Sequence, residues 1–183
     1  MPTYVALLRG INLGPRNKIA MADLRELLRS LGHEQVQTVI LSGNAVFASR
    51  RRAIPALEAE MEGAIRERFG LEIRVLIRTA DELAAVVAAN PYPAPTGDGR
   101  IYALFLERAP DPERIAAIDS ATVEPDRFAF GDRVVYVSLT GGFLDSKAFA
   151  VLTDKRLGVA MTNRNWNTVL KLHALAEGVG AAD

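Results

Sequence analysis

The chain has 183 residues, 49% of them hydrophobic and 24% charged, a balance that suits one globular domain or two small subdomains and excludes disorder. Lys plus Arg and Asp plus Glu stand at 22 each, so no whole-molecule field draws the chain to nucleic acid or to an anionic membrane, and any anion binding must be local. With no cysteine and two histidines, His33 and His173, far apart in sequence, there is no disulfide framework and no thiolate zinc set, and neither a metal nor a cofactor is expected.

The first apolar run, Tyr4 to Leu8, stops at Arg9, too short for a signal peptide or a membrane span, so a cytoplasmic protein is expected. Its continuous apolar character from Val5 to Leu8 predicts a buried strand, central in its sheet. Met21, Leu24, Leu27, Leu28 and Leu31 recur at helical spacing and stop before Gly32, which predicts the first helix. The stretch VQTVILSGNAVFAS reads as a hairpin turning at Ser42-Gly43-Asn44. Pro55 suits the first turn of a second helix carrying Leu57, Met61, Ile65 and Phe69, closed by Gly70. Ile73 to Ile77 is the fourth strand. Thr79 with Glu82 three residues on forms a capping-box pattern that opens a third helix ending before Asn90-Pro91.

The Pro- and Gly-dense stretch at 90–100 reads as a linker between residues 1–89 and 101–183. The element order then repeats. Ile101 to Leu106 is a strand, Asp111-Pro112 opens a short helix, and a Gly131-Asp132 turn joins two strands around Phe128 and Val134 to Val137. Asp145 or Ser146 starts a helix with Phe149 and Leu152, Val159 to Met161 is a short strand, and TNRNWNTVLKL at 162–172 leads into the last helix. The junctions VLIRTADEL and VAMTNRNWNTV also rhyme, each a strand end, Thr and Arg, then a helix. Two tandem ferredoxin-like subdomains of the α+β class, each βαββαβ plus a helix with an antiparallel sheet, are therefore expected.

Right-handed crossovers place the loop after strand one beside the turn between strands two and three, and in the second half the loop after strand three beside the loop after strand four. Arg9, Asn12 and Lys18 are thus expected to meet Ser42 and Asn44. Ser146 and Lys147 are expected to meet Arg164, Asn165, Asn167 and Lys171. Both sets are rich in donors, with Asp145 as the one carboxylate near them, which suits a phosphate or carboxylate held by Arg forks, amides and helix N-termini.

Each residue also has a plainer reading. Ser42-Gly43-Asn44 is good hairpin chemistry, Ser146 is a good N-cap, and Asn163 or Asn165 can cap the final helix. Trp166 shares a helical face with Val169, Leu170 and His173, so packing is the preferred reading for it. Arg164, taken as lying just ahead of the last helix at its positive end, has no structural reason to be there and is expected to serve a ligand. Gly10 and Gly14 match neither a dinucleotide fingerprint nor a Walker loop, no serine-nucleophile motif is present, and neither histidine has a visible acid-base partner. The run Arg50 to Arg52 lies at the opposite end of the first sheet from the polar cluster.

Together LLRGINLG, MADLRELLRSLG, LSGNAVF, RTADELAAVVAANPYP, Ser146-Lys147 and TNRNWNTVLKL resemble the bacterial family known as domain of unknown function 1697, from Leu7 to Leu172. The resemblance implies a module of two ferredoxin-like halves with no established activity. Arg9, Gly10, Asn12, Ser42, Gly43, Asn44, Lys147, Arg164, Asn165, Trp166, Thr168 and Lys171 fall on its signature positions. Leu41 stands where that pattern has glutamine, and Pro15 lies where members usually carry glycine.

The leading functional expectation is a protein holding a phosphate- or carboxylate-bearing small molecule in a polar site between two halves; whether it is an enzyme stays open. A nucleic-acid module is the alternative, with Tyr136 and Phe128 available for stacking, but the zero net charge disfavours it. A third reading makes the polar edges purely structural or partner-binding.

Overall fold

The computed structural model describes residues 1–92 and 100–181. The protein is of the α+β class: the described residues form two four-stranded antiparallel sheets and seven α-helices. The chain divides into two compact units, Met1–Ala85 with the chain from Leu170 onward, and Val86–Val169. Of the linker expected at 90–100, residues 93–99 lie outside the described residues.

In unit 1 the sheet order is β2-β3-β1-β4, from β1 (Thr3–Leu8), β2 (Glu34–Val39), β3 (Asn44–Ala48) and β4 (Val75–Thr79). The continuous apolar run of β1 is explained by its position, since every residue of this central strand is buried. Tyr4, Ala6 and Leu8 face a core with Leu24 and Leu28 of α1 (Met21–Ser30) and Leu57, Met61 and Ile65 of α2 (Ile54–Phe69), while Val5 and Leu7 alternate to the other face and are buried too. α2 ends on Gly70 at φ 66, the left-handed closure its glycine predicted. One face of α2 also protects an edge. Glu62 and Glu58, one helical turn apart, accept the N–H groups of Val75 and Ile77 on β4, both at 2.9 Å, so alternate donors of an outer strand are occupied. The predicted capping box opens α3 (Ala80–Ala88): Thr79 N–H donates to Glu82 at 2.9 Å, and Glu82 N–H to Thr79 Oγ1 at 3.1 Å.

In unit 2 the order is β6-β7-β5-β8, from β5 (Arg100–Leu106), β6 (Arg127–Gly131), β7 (Val134–Leu139) and β8 (Met161–Asn165). Tyr102, Leu104 and Leu106 share a core with Val135, Val137, Ala148, Leu152 and Leu157. The helices are α4 (Pro112–Ala116), α5 (Lys147–Val151), α6 (Asp154–Leu157) and α7 (Trp166–Gly180), whose later residues belong to unit 1. α6 is too short for a periodic signal and was not expected. Its carbonyl end is closed by arginines, with Arg114 donating to Lys155 O and Arg156 O and Arg108 to Gly158 O at 2.8 Å. β8 begins and ends later than its apolar residues suggest. Pairing with β5 carries on through the polar residues to Tyr102↔Asn165, because ladder formation with a central neighbour outweighs side-chain polarity on an edge strand.

Candidate functional site

At one end of the first sheet the segment after β1 and the turn before β3 lie together. Leu8 N–H donates to Gly43 O at 2.8 Å. Asn12 is the clamp: its Nδ2 donates to Ile19 O at 2.8 Å and to Leu41 O at 2.7 Å, and its Oδ1 accepts Ile19 N–H at 3.1 Å. Asn12 and Asn17 take left-handed backbones at φ 57 and 53, a conformation asparagine tolerates better than most residues. The loop is closed further by Asn12 N–H on Asn17 O and Asn17 Nδ2 on Gly10 O. Asn44 is fully buried and braces the turn, donating to Val39 O and Ser42 Oγ. Gly43 sits at φ 76, and a Cβ there would meet Ile11 Cδ1 at 2.7 Å and Leu8 Cβ at 2.8 Å. The two asparagines therefore build the edge, while Arg9, Arg16 and Lys18 are exposed on it.

The second set also gathers at one sheet end, since Leu139 and Asn165 pair with Arg100 and Tyr102 at the same end of β5. Most of its polar groups are engaged locally. Ser146 caps α5 by accepting Phe149 N–H and donates to the buried Asp126, which also receives Thr140 N–H and Ala148 N–H. Lys147 Nζ donates to Glu124 O at 2.9 Å. Asn165 Oδ1 accepts Asn167 N–H at 2.9 Å, so it starts α7 in the manner of an N-cap. Asn167 and Lys171 are exposed.

Arg164 is not a loop residue ahead of the helix. It is the fourth residue of β8, 6% exposed, with Nη1 on Thr162 Oγ1 and Asn163 O, both at 2.7 Å. Burial lowers its pKa to about 10, which still leaves it charged at neutral pH. Trp166 is half-buried rather than enclosed, edge-on to Tyr136 with ring centroids 6.2 Å apart.

A family model described as "Protein of unknown function (DUF1697)" matches residues 1–136. The chain belongs to the DUF1697 family. Among solved structures, the conserved bacterial protein SP0830 from Streptococcus pneumoniae is similar at a TM-score of 0.76 and 24% identity, over 96% of this chain and 98% of its own; at that identity the likeness concerns the fold alone. A comparison with curated proteins gives no match.

The DUF1697 chain holds two further features that sequence reasoning passed over. Asp126 organises the loop after β7 through three donors, and nothing in its local pattern marks it, because its partners lie 14 to 22 residues away. An open cleft of about 540 Å³ lies between α4 and α6, lined by Glu113, Arg114, Ala117, Ile118, Lys155 and Arg156, but Arg114 there is committed to helix carbonyls. Among the described residues no group of three His, Asp or Glu is placed to hold a metal ion, and no helix is long and apolar enough to cross a membrane.

Proposed function

We infer that the DUF1697 chain binds the phosphate or carboxylate group of a small molecule at the loop–turn edge of unit 1, as a cytoplasmic protein built of two ferredoxin-like units. The strand orders β2-β3-β1-β4 and β6-β7-β5-β8 support that description of the units. The observation that carries the ligand reading is the Asn12 clamp. One side chain closes the loop through two hydrogen bonds with Ile19 and holds it against the turn through a third, to Leu41 O, so the cations Arg9 and Lys18 stand on a frame ordered before any ligand arrives, which lowers the entropy lost on binding. Ser42 lies in the same turn, its hydroxyl accepting from Asn44 Nδ2. Of the second predicted set, Lys147, Asn167 and Lys171 are exposed, Lys147 with its Nζ on Glu124 O, whereas Ser146, Arg164 and Asn165 have hydrogen bonds within the fold. The edge of unit 1 brings no base to a nucleophile, which favours binding over catalysis.

The test is a melting-temperature titration with inorganic phosphate, phosphate monoesters and organic acids, on the wild type and on Arg9→Ala and Lys18→Ala. A ligand at ten times its Kd stabilises by about 1.4 kcal/mol, a shift of a few degrees for a chain of this size. The expected result is a shift in the wild type that each variant reduces, measured against its own ligand-free melting temperature. Equal shifts in all three proteins would remove the site from this edge.

A further inference from the structure

Large aliphatic side chains stand exposed where the clamp brings loop and turn together: Leu13 is 81%, Leu41 72% and Ile40 49% exposed. Leu13 follows Asn12 directly, and Asn12 holds the carbonyl of Leu41 at 2.7 Å, so two leucines 28 residues apart in sequence share one protruding tip. Around them residues 9–20 supply Arg9, Arg16 and Lys18 and no carboxylate, and residues 40–44 supply none either. A chain with zero formal net charge thus carries a local cationic rim around an aliphatic point.

We propose that this edge is a peripheral docking surface for an anionic lipid bilayer, with Leu13 and Leu41 entering the boundary of the acyl region and Arg9, Arg16 and Lys18 meeting headgroup phosphates. The proposal rests on the reading that this edge receives an anion, and names the lipid headgroup as its source. Apolar tips that insert a few ångströms while flanking cations meet anionic headgroups are the chemistry of interfacial anchoring. A folded protein partner is matched less well, because protein interfaces draw their energy from aromatic and Arg anchors seated in pockets, and this tip is aliphatic and protruding. The other loop with exposed apolar residues, Phe143 and Leu144 in unit 2, is followed at once by Asp145, and its nearest cation, Lys147, is engaged on Glu124 O. It serves as an internal control.

The experiment is sedimentation of the full chain with vesicles of phosphatidylcholine alone and of phosphatidylcholine mixed with phosphatidylserine, alongside a titration with inorganic phosphate. The wild type is expected to bind the mixed vesicles, to ignore the neutral ones, and to weaken as salt rises. Leu13→Ser with Leu41→Ser is expected to lower partitioning about 100-fold, near tenfold for each leucine withdrawn from the interface. That variant keeps any response to phosphate, and Leu144→Ser binds like the wild type. A protein stabilised by phosphate that ignores both vesicles overturns the bilayer proposal and leaves the anion site standing; no response to either removes both. Unchanged partitioning in the double leucine variant also overturns it. So does a gel-filtration shift from dimer to monomer on the same substitutions without vesicle binding, which would assign the tip to a second copy of the chain.

Discussion

Gly43 shows how one position can be half legible. Its place in a Ser-Gly-Asn turn predicts a left-handed backbone, and it has φ 76; the sequence says nothing of Ile11 and Leu8, whose side chains fill the space a Cβ would need. Gly43→Ala is expected to destabilise by about 2 to 4 kcal/mol, the sum of a left-handed backbone penalty and overpacking, measured by urea denaturation. Adding Ile11→Ala recovers part of the overpacking share if the contact is its source. Asn12 was equally half legible: a polar residue in a Gly-containing loop reads as a donor for a ligand, and only the fold reveals that its amide is spent on Ile19 and Leu41. His33 supplies a pH dependence. It is 4% exposed and packs on Phe47, and burial, aided by the nearby Arg51, lowers its pKa from 6.5 to about 4. Glu60 Oε2 lies 3.8 Å from Nε2 but does not offset this, because Arg51 engages the other oxygen of the same carboxylate. The folded state therefore binds fewer protons than the unfolded state between those values. The stabilisation is fully present above pH 6.5 and is lost as pH falls towards 4, by up to about 3 kcal/mol. Urea midpoints from pH 7.5 to 4 are expected to fall over that window in the wild type and to fall less in His33→Phe.

The strand-to-helix junctions carry the clearest repeat. β4 ends Arg78-Thr79 and β8 ends Arg164-Asn165, and in both the arginine is buried with Nη1 on the carbonyl of the preceding residue, Ile77 or Asn163. The residue after it caps the next helix in both, Thr79 through Glu82 N–H and Asn165 through Asn167 N–H. The likeness of VLIRTADEL to VAMTNRNWNTV was visible in the sequence. Its meaning was not, because polar residues at a strand end look like a loop until the ladder to β5 is known. The edge of β4 gives an element-level prediction. Replacing both Glu58 and Glu62 by Ala leaves the N–H groups of Val75 and Ile77 without their acceptors, with an expected loss of about 2 to 4 kcal/mol and a tendency to aggregate through the opened edge. The double Gln variant keeps an acceptor oxygen at each position and is expected to lose about half as much, both read by chemical denaturation and light scattering.

Across the whole molecule, the equality of 22 basic and 22 acidic residues argues against a nucleic-acid surface, which requires a basic face and gives a steep fall of affinity with salt. A gel-shift titration at physiological salt is expected to show no complex with duplex DNA or single-stranded RNA; tight, salt-sensitive binding would reverse the ranking of functions. The class of the fold was legible because two rounds of the same element order left few topologies open. The grouping of the chain was not, since helical periodicity along TNRNWNTVLKL continues without a break where the unit boundary falls. Because Met1–Ala85 groups with the chain from Leu170 onward, unit 2 is in effect an insertion within unit 1. On the ribosome the insertion can finish folding as one contiguous piece, but unit 1 must wait for Leu172, Ala176 and Val179, all buried in the finished protein. At about 5 to 20 residues per second the delay is roughly 4 to 17 s, and for that time the first-made half of the nascent chain depends on whatever shields its apolar surface.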